Sequence, residues 1–130
     1  MATKQPAVLL VVEDDIAMRC LLCDELWDLG CRIVEARDGD EALRRAMDIL
    51  PDVIVTDLRM PAGGLDYLGR LRTAVPACPI IVMTAFGDGK TKNETLKLGV
   101  ATYFDKPVRM TELKVAIGRL IKKDGSLPRA

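Results

Sequence analysis

The chain has 130 residues, 49% hydrophobic and 29% charged, a composition typical of one globular domain rather than a disordered or multidomain chain. Nineteen basic residues balance nineteen acidic ones, so no net positive charge favours binding to nucleic acids or anionic membranes. Histidine is absent, which excludes Ser-His-Asp and Cys-His catalysis and a phosphohistidine on this chain.

The apolar runs are too short to span a bilayer, and the N-terminus lacks the apolar segment and cleavage site of a signal peptide. We therefore expect a cytoplasmic protein. The four cysteines lie in or beside apolar segments, which predicts reduced, buried thiols rather than disulfides. They are Cys20, Cys23, Cys31 and Cys78.

Short β-branched apolar runs alternate with amphipathic stretches of helical length. In chain order we predict strand Val8–Val12, helix Ile16–Leu29, strand Arg32–Glu35, helix Gly39–Leu50, strand Val53–Thr56, helix Leu65–Val75, strand Ile80–Thr84, helix Thr91–Leu98, strand Ala101–Phe104 and helix Thr111–Lys122. This alternation predicts a single doubly wound α/β domain, a five-stranded parallel sheet with helices on both faces.

The C-terminal residues differ from the rest of the chain. From Lys123 to Ala130 the sequence is polar, contains Gly and Pro, and has no apolar period. We therefore expect the domain to span residues 1–122, and residues 123–130 to form a flexible tail or a truncated linker.

Polar side chains follow the ends of four predicted strands, where ligands bind in doubly wound sheets. They are Glu13, Asp14 and Asp15 after the first strand, Asp57 after the third, Thr84 at the end of the fourth and Lys106 after the fifth. We therefore expect carboxylates, a hydroxyl and an amine to converge on one edge of the sheet.

Crowded carboxylates repel one another unless a cation neutralises them. Oxygen ligands without His or Cys suit Mg²⁺ first and Mn²⁺ as an alternative. An acidic run after a strand can also cap a helix, and for Asp15 we favour that interpretation. Asp57 is evenly poised between capping and chemistry, because an unpartnered carboxylate after a buried strand is costly.

Thr84 and Lys106 taken singly are ordinary residues, a β-branched strand end and a solvated lysine. Together with Asp57 they can hold the oxygens of a phosphoryl group while an aspartate oxygen attacks phosphorus. The sequence therefore leads to the hypothesis of phosphoryl transfer to Asp57.

Four stretches, in this order and spacing, resemble the motifs of the response regulator receiver domain of two-component signalling. They are Val11–Asp15, Val55–Pro61, Val82–Gly87 and Gly99–Pro107. The resemblance covers residues 7–122 and implies a CheY-like, flavodoxin-like fold with strand order 2-1-3-4-5. It also implies a phosphorylation switch that is not a conventional enzyme.

The resemblance assigns a role to each matching residue. It implies that Asp57 is the phosphoacceptor and that Glu13 and Asp14 hold Mg²⁺ together with Asp57 and the backbone carbonyl of Arg59. It implies that Lys106 pairs with the phosphoryl group and that Thr84 and Tyr103 are the switch residues. The Lys106–Pro107 peptide is implied to be cis. Arg59 and Phe86 resemble positions that tune dephosphorylation. The implied phosphodonor is a sensor histidine kinase or phosphotransfer protein. The implied output partner is a downstream domain or protein, which binds the surface of the fourth helix, fifth strand and fifth helix. A homodimer formed on activation is one such output.

One loop departs from the commonest receiver pattern, and the first helix carries an apolar stripe that the pattern does not include. The loop after Asp57 reads Met-Pro-Ala-Gly-Gly, without the usual acidic residue before the last glycine, so the cap of the third helix is in question. The side chains of a second apolar stripe on the first helix either pack against the fifth helix, or are singly exposed, or form a kinase-docking surface. Its members are Ile16, Cys20, Cys23 and Trp27.

Three other functions fit less well. A phosphatase or mutase of the haloacid-dehalogenase kind needs a second carboxylate two residues after its aspartate, where this chain has Arg59. A flavodoxin-like electron carrier needs a hydroxyl- and glycine-rich phosphate loop after the first strand. A receiver that acts without phosphorylation usually lacks one of the site residues, and none is missing here.

Overall fold

A computed structural model describes residues 5–85 and 89–124 of the protein. In chain order the elements are β1 (Val8–Val12), α1 (Ile16–Leu26), β2 (Arg32–Ala36), α2 (Gly39–Ile49), β3 (Val53–Thr56), α3 (Gly64–Ala74), β4 (Ile80–Thr84), α4 (Gly89–Lys97), β5 (Thr102–Asp105) and α5 (Met110–Asp124). The strands form one parallel sheet in the order β2-β1-β3-β4-β5. The predicted fold class and strand order are therefore confirmed.

Alternate residues of the central strands enter two separate cores, because successive side chains of a strand point to opposite faces. Leu10, Ile54 and Val82 pack on one face with residues of α2 and α3, including Ala42 and Leu68. On the other face the core joins the sheet to α1 and α5, and its members include Leu9, Val55, Ile81, Leu22 and Ile117. This two-sided burial fixes the strands whose carboxyl ends carry the polar residues.

The first helix ends earlier than predicted. Alpha-helical geometry stops at Leu26, and Trp27–Leu29 form a 3₁₀ turn rather than the last turn of one continuous helix. Gly30 follows with a φ of +78°, and its N–H donates to the Trp27 carbonyl oxygen. Glycine adopts this left-handed conformation without steric cost and so ends the helical segment.

Helix α5 runs two residues beyond its predicted end at Lys122. Lys123 and Asp124 therefore belong to the helix and not to the tail predicted from Lys123. The other predicted tail residues, 125–130, lie outside the described part of the chain. Among the described residues, no helix combines the length and apolar composition needed to cross a membrane.

The cysteines are less buried than predicted. Cys78 is buried, Cys23 and Cys31 are half-buried, and Cys20 is exposed because it lies on the outward side of α1. The prediction of a buried thiol is therefore wrong for Cys20. None of the four forms a disulfide.

Candidate functional site

The first two site residues sit directly after neighbouring parallel strands. Glu13 follows β1, and its backbone N–H donates to the Ala36 carbonyl oxygen at 3.0 Å. Asp57 follows β3, and its N–H donates to the Val12 carbonyl oxygen at 3.1 Å. These two bonds continue the sheet ladder by one residue, so both carboxylates are held by the sheet itself.

Lys106 joins the two carboxylates. Its Nζ lies 2.7 Å from Glu13 Oε1 and 2.7 Å from Asp57 Oδ2. Its backbone N–H donates to the Thr84 carbonyl oxygen at 2.9 Å, which ties the residue to the end of β4. The Lys106–Pro107 peptide bond is cis.

The second oxygen of Asp57 accepts two backbone hydrogen bonds. Leu58 N–H donates to Oδ1 at 2.6 Å and Arg59 N–H donates to the same atom at 3.1 Å. Only 4% of Asp57 is exposed. The carboxylate is therefore fixed from both sides, by an ammonium on one oxygen and by two amides on the other.

Burial and charge act on the ionisation of Glu13 and Lys106 together. Burial raises the pKa of Glu13, and the hydrogen bond and charge of Lys106 only partly oppose it. Burial on its own would lower the pKa of Lys106, but its hydrogen bonds and attraction to Asp57 and Glu13 outweigh that effect and raise this pKa. Lys106 is therefore held as an ammonium between the two carboxylates.

The carboxylates are close enough to share a cation. Oxygen atoms of Glu13, Asp14 and Asp57 all lie within 4.8 Å of one another, with Glu13 and Asp57 buried and Asp14 exposed. The cluster therefore combines three carboxylates with the Lys106 ammonium, which bonds two of them. An oxygen-only donor set of this charge fits a hard divalent ion such as Mg²⁺ or Mn²⁺.

Asp15 does not belong to this cluster. Its side chain is the N-cap of α1 and accepts a hydrogen bond from Met18 N–H at 3.0 Å. The capping interpretation of Asp15 is therefore confirmed. Its backbone N–H also donates to Glu13 Oε2 at 3.2 Å, which orients the Glu13 carboxylate.

The predicted switch residues lie on β4 and β5. Thr84 is buried at the end of β4, beside Asp105 in the strand register, and its Oγ1 lies 3.5 Å from the Ala85 carbonyl oxygen. Tyr103 is half-buried against the core on the α2 and α3 side, with Lys92 Nζ 5.7 Å from its ring centre. Phe86 lies outside the described residues.

The second apolar stripe of α1 lies on the surface. Ile16 is 68% exposed, Trp27 is 77% exposed, and Cys20 is also exposed. Cys23 is half-buried, and burial together with the Glu35 carboxylate raises its pKa to about 11. Packing against α5 therefore does not account for the outer three residues of this stripe.

The cap of α3 agrees with the sequence departure noted above. Gly63 is the N-cap residue and supplies no side-chain hydrogen bond. Asp38, by contrast, caps α2 by accepting from Glu41 N–H at 2.8 Å.

Sequence reasoning missed a polar pair behind Asp57. Thr56 Oγ1 lies 2.7 Å from the Asp57 carbonyl oxygen and 2.9 Å from Tyr67 Oη, and both side chains are buried. One signal was present in the sequence, since Thr56 is a polar residue in the otherwise apolar strand Val-Ile-Val-Thr. A buried hydroxyl needs a partner, but the pattern alone did not say which one.

Comparisons with known proteins agree on one family. A family model described as the response regulator receiver domain matches residues 9–118. The two-component response regulator PhoP of Pseudomonas aeruginosa is 34% identical over 116 residues, 88% of this chain and 52% of its own length. The transcriptional regulatory protein CiaR of Streptococcus pneumoniae is 33% identical over 118 residues, 90% of this chain and 52% of its own. This chain therefore spans about half the length of these relatives.

Solved structures show the same fold. The chemotaxis protein CheY4 of Vibrio cholerae matches with a TM-score of 0.80 and 28% identity, over 89% of this chain and 99% of that chain. A response regulator receiver domain protein from Clostridium thermocellum matches with a TM-score of 0.84 and 28% identity, over 92% and 97% of the two chains.

Proposed function

The chain belongs to the response regulator receiver domain family, and from that premise we propose that it is a signalling switch phosphorylated on Asp57. The observation that carries the proposal is the setting of the Asp57 carboxylate. It is buried, bonded to the Lys106 ammonium at 2.7 Å, and oriented by the N–H groups of Leu58 and Arg59. A fixed aspartate oxygen beside a cation is equipped for nucleophilic attack on phosphorus.

The proposed phosphodonor is a phosphohistidine on a sensor histidine kinase or phosphotransfer protein. One Asp57 oxygen forms a bond to phosphorus while the bond from phosphorus to the histidine nitrogen breaks, and the imidazole leaves. No group is oxidised or reduced. Lys106 and Thr84 lie at the same edge of the sheet and hold the phosphoryl oxygens, which carry the negative charge in the transition state.

The acidic cluster is the proposed metal site. Glu13, Asp14, Asp57 and the backbone carbonyl of Arg59 hold Mg²⁺, or alternatively Mn²⁺. A bound divalent ion supplies positive charge to the phosphoryl oxygens during transfer. The Lys106 ammonium, bonded to both Glu13 and Asp57, places a further positive charge beside the same oxygens.

The proposed output follows from where the switch residues lie. Thr84 ends β4, and Tyr103 lies on β5 next to α4 through Lys92. Phosphorylation draws the Thr84 hydroxyl to the phosphoryl group and changes the Tyr103 rotamer. The surface of α4, β5 and α5 then controls a partner protein, an output domain or a second copy of this chain.

Membership of the receiver domain family also bears on the organisation and location of the protein. We propose that the receiver unit ends within α5, and that whatever follows is a tail or a linker to a further domain. Because the domain transfers the phosphoryl group to its own Asp57 side chain, it is not a conventional enzyme. A cytoplasmic location and the lack of direct nucleic-acid binding by this domain stay predictions from the sequence.

The test is the intact mass of the chain after incubation with acetyl phosphate, with and without Mg²⁺. We expect a single Mg²⁺-dependent phosphoryl adduct that Asp57→Asn abolishes. Asp66→Asn is the matched control, because Asp66 is exposed on α3 in an ion pair with Arg70 and lies outside the site. The control should take the adduct at the rate of the unmodified chain.

An unmodified chain without an adduct, in a sample that is folded and binds Mg²⁺, would contradict phosphorylation from small donors. A further incubation with a phosphorylated histidine phosphotransfer domain then separates two remaining cases. Transfer there would support a donor-specific acceptor, and its absence would leave a module that acts by binding without phosphorylation.

A further inference from the structure

The Thr56–Tyr67 pair connects to the proposed phosphoacceptor carboxylate through the Asp57–Leu58 peptide unit. We propose that Tyr67 and Thr56 form a hydrogen-bond chain that positions the Asp57 carboxylate, and that both are positioning residues for phosphoryl transfer. This inference rests on the proposed function of Asp57. Neither side chain touches the carboxylate, so the effect must pass through the backbone.

The number of hydroxyl protons determines which group donates each hydrogen bond in this hydrogen-bond chain. Thr56 Oγ1 donates to the Asp57 carbonyl oxygen at 2.7 Å. A hydroxyl has one proton and two lone pairs, so Thr56 has no second proton for Tyr67. The 2.9 Å contact between Thr56 Oγ1 and Tyr67 Oη is therefore donated by the tyrosine.

The next link is a single peptide unit. The Asp57 carbonyl and the Leu58 N–H belong to the same planar group and point in opposite directions. Thr56 holds the carbonyl end of this plane, and the N–H end donates to Asp57 Oδ1 at 2.6 Å. Any rotation of the plane that lengthens the first bond also changes the second. The Thr56 hydroxyl thereby fixes the direction of the amide that orients the carboxylate.

Tyr67 is itself held firmly. It is 2% exposed in the core between the sheet, α2 and α3. A Cβ added at Gly39 would lie 3.1 Å from Cδ1 of the Tyr67 ring, so the absence of a side chain there leaves the space that the ring fills. The hydrogen-bond chain therefore starts from a packed aromatic ring and ends at a carboxylate oxygen.

The experiment compares Tyr67→Phe, Thr56→Val and the double variant with the unmodified chain in phosphorylation by acetyl phosphate. Misplacing a reacting group by a fraction of an ångström lowers a rate severalfold, so we expect about a tenfold fall in the maximal rate for Thr56→Val and the double variant. The donor concentration for half-maximal rate should not change, because the pair does not contact the donor. Thr56→Ser keeps the hydroxyl and should restore most of the rate.

The double variant distinguishes an effect on phosphorylation rate from an effect on protein stability. Thr56→Val alone leaves the Tyr67 hydroxyl buried without its acceptor, whereas removing both hydroxyls removes that penalty. The double variant should unfold at or above the denaturant midpoint of Thr56→Val and still be slow. Val75→Ala, a buried change at the far end of α3, is the destabilised control and should keep the full rate.

A second readout needs no phosphorylation. In a ¹H–¹⁵N NMR spectrum, the short bond from Leu58 N–H to Asp57 Oδ1 places the Leu58 amide proton downfield, and the double variant should move this signal upfield. A double variant with the full rate and an unmoved Leu58 signal would overturn the proposal. If the unmodified chain takes no phosphoryl group from acetyl phosphate or from a phosphorylated histidine phosphotransfer domain, the proposed function fails, and the Leu58 signal alone decides whether the hydrogen-bond chain exists.

Discussion

At the residue scale, Lys106 controls the electrostatics of the site. Its ammonium bonds Glu13 and Asp57, which are 1% and 4% exposed. Removing one partner of a buried ionic cluster leaves the remaining charges only partly compensated. Replacing Lys106 therefore affects both stability and phosphorylation.

We predict that Lys106→Met lowers the unfolding free energy by about 3 kcal/mol at pH 7 in metal-free buffer, as expected when a buried ion pair loses one member. The deficit should shrink as the pH falls towards 5. The pKa of Glu13 is already raised by burial, and without the lysine it rises further, so the folded variant binds a proton more tightly than the unfolded chain. Urea denaturation across this pH range measures the effect, and a deficit independent of pH would contradict it.

Asp14 and Asp15 are neighbours with separate roles. We predict that Asp15→Ala lowers the unfolding free energy by about 1 kcal/mol, because α1 loses its side-chain cap. Asp14→Ala should leave stability almost unchanged, since Asp14 is exposed, but should raise the Mg²⁺ concentration needed for phosphorylation at least tenfold. Denaturation and Mg²⁺ titration of both variants check this. Equal Mg²⁺ midpoints for the two would place Asp14 outside the metal site.

At the element scale, the start of α2 supports the loop after Asp57. Gly39 N–H donates to the Pro61 carbonyl oxygen at 3.0 Å, and a Cβ on Gly39 would lie 1.8 Å from the Ala62 carbonyl oxygen. The loop can approach α2 this closely only because residue 39 has no side chain. This contact places the segment whose Arg59 N–H bonds Asp57.

We predict that Gly39→Ala lowers the unfolding free energy by about 2 kcal/mol, the usual cost of overpacking against backbone, and slows phosphorylation by acetyl phosphate. Gly118→Ala on α5 is the matched control, because its Cβ would meet no atom within 4 Å. That variant should gain up to about 1 kcal/mol from helix propensity and keep the full rate. Equal stability of the two variants would refute the close contact.

At the scale of the whole molecule, the outer face of α1 is separate from the phosphorylation chemistry. Ile16 and Cys20 on α1 and Trp27 in the following 3₁₀ turn are exposed, whereas the other side of α1 fills the core with Leu22 and Leu26. Contiguous exposed apolar patches mark contact surfaces between proteins, whereas singly exposed apolar residues are common. The interpretation as a kinase-docking surface stays a prediction.

We predict that Trp27→Ala slows phosphoryl transfer from a histidine kinase or phosphotransfer protein at least tenfold, and that Cys20→Asp acts in the same direction. The rate with acetyl phosphate should not change, and the unfolding free energy should stay within about 0.5 kcal/mol, as for most surface substitutions. Met47→Ala, an exposed change on α2, is the control for lost apolar surface. Unchanged phosphoryl transfer to both Trp27→Ala and Cys20→Asp would contradict the docking surface.

The sequence by itself determined the order of the elements, the doubly wound sheet and the edge at which the polar residues gather. Short β-branched apolar runs and amphipathic periods of about 3.6 residues are local properties, and the carboxyl ends of parallel strands must meet at one edge. For the same reason the capping role of Asp15 was predictable, since it depends on a contact only three residues along the chain. Helix ends were less certain, as the 3₁₀ turn at Trp27–Leu29 shows.

Tertiary structure alone decided how the gathered residues are connected. Lys106 bonds Glu13 across 93 positions of sequence and Asp57 across 49, and no local pattern specifies which carboxylate a lysine reaches. The partner of the Thr56 hydroxyl depended on where α3 packs, because that packing brings Tyr67 within hydrogen-bond distance. The exposure of Cys20 and Trp27 likewise depends on which face of α1 packs against the sheet.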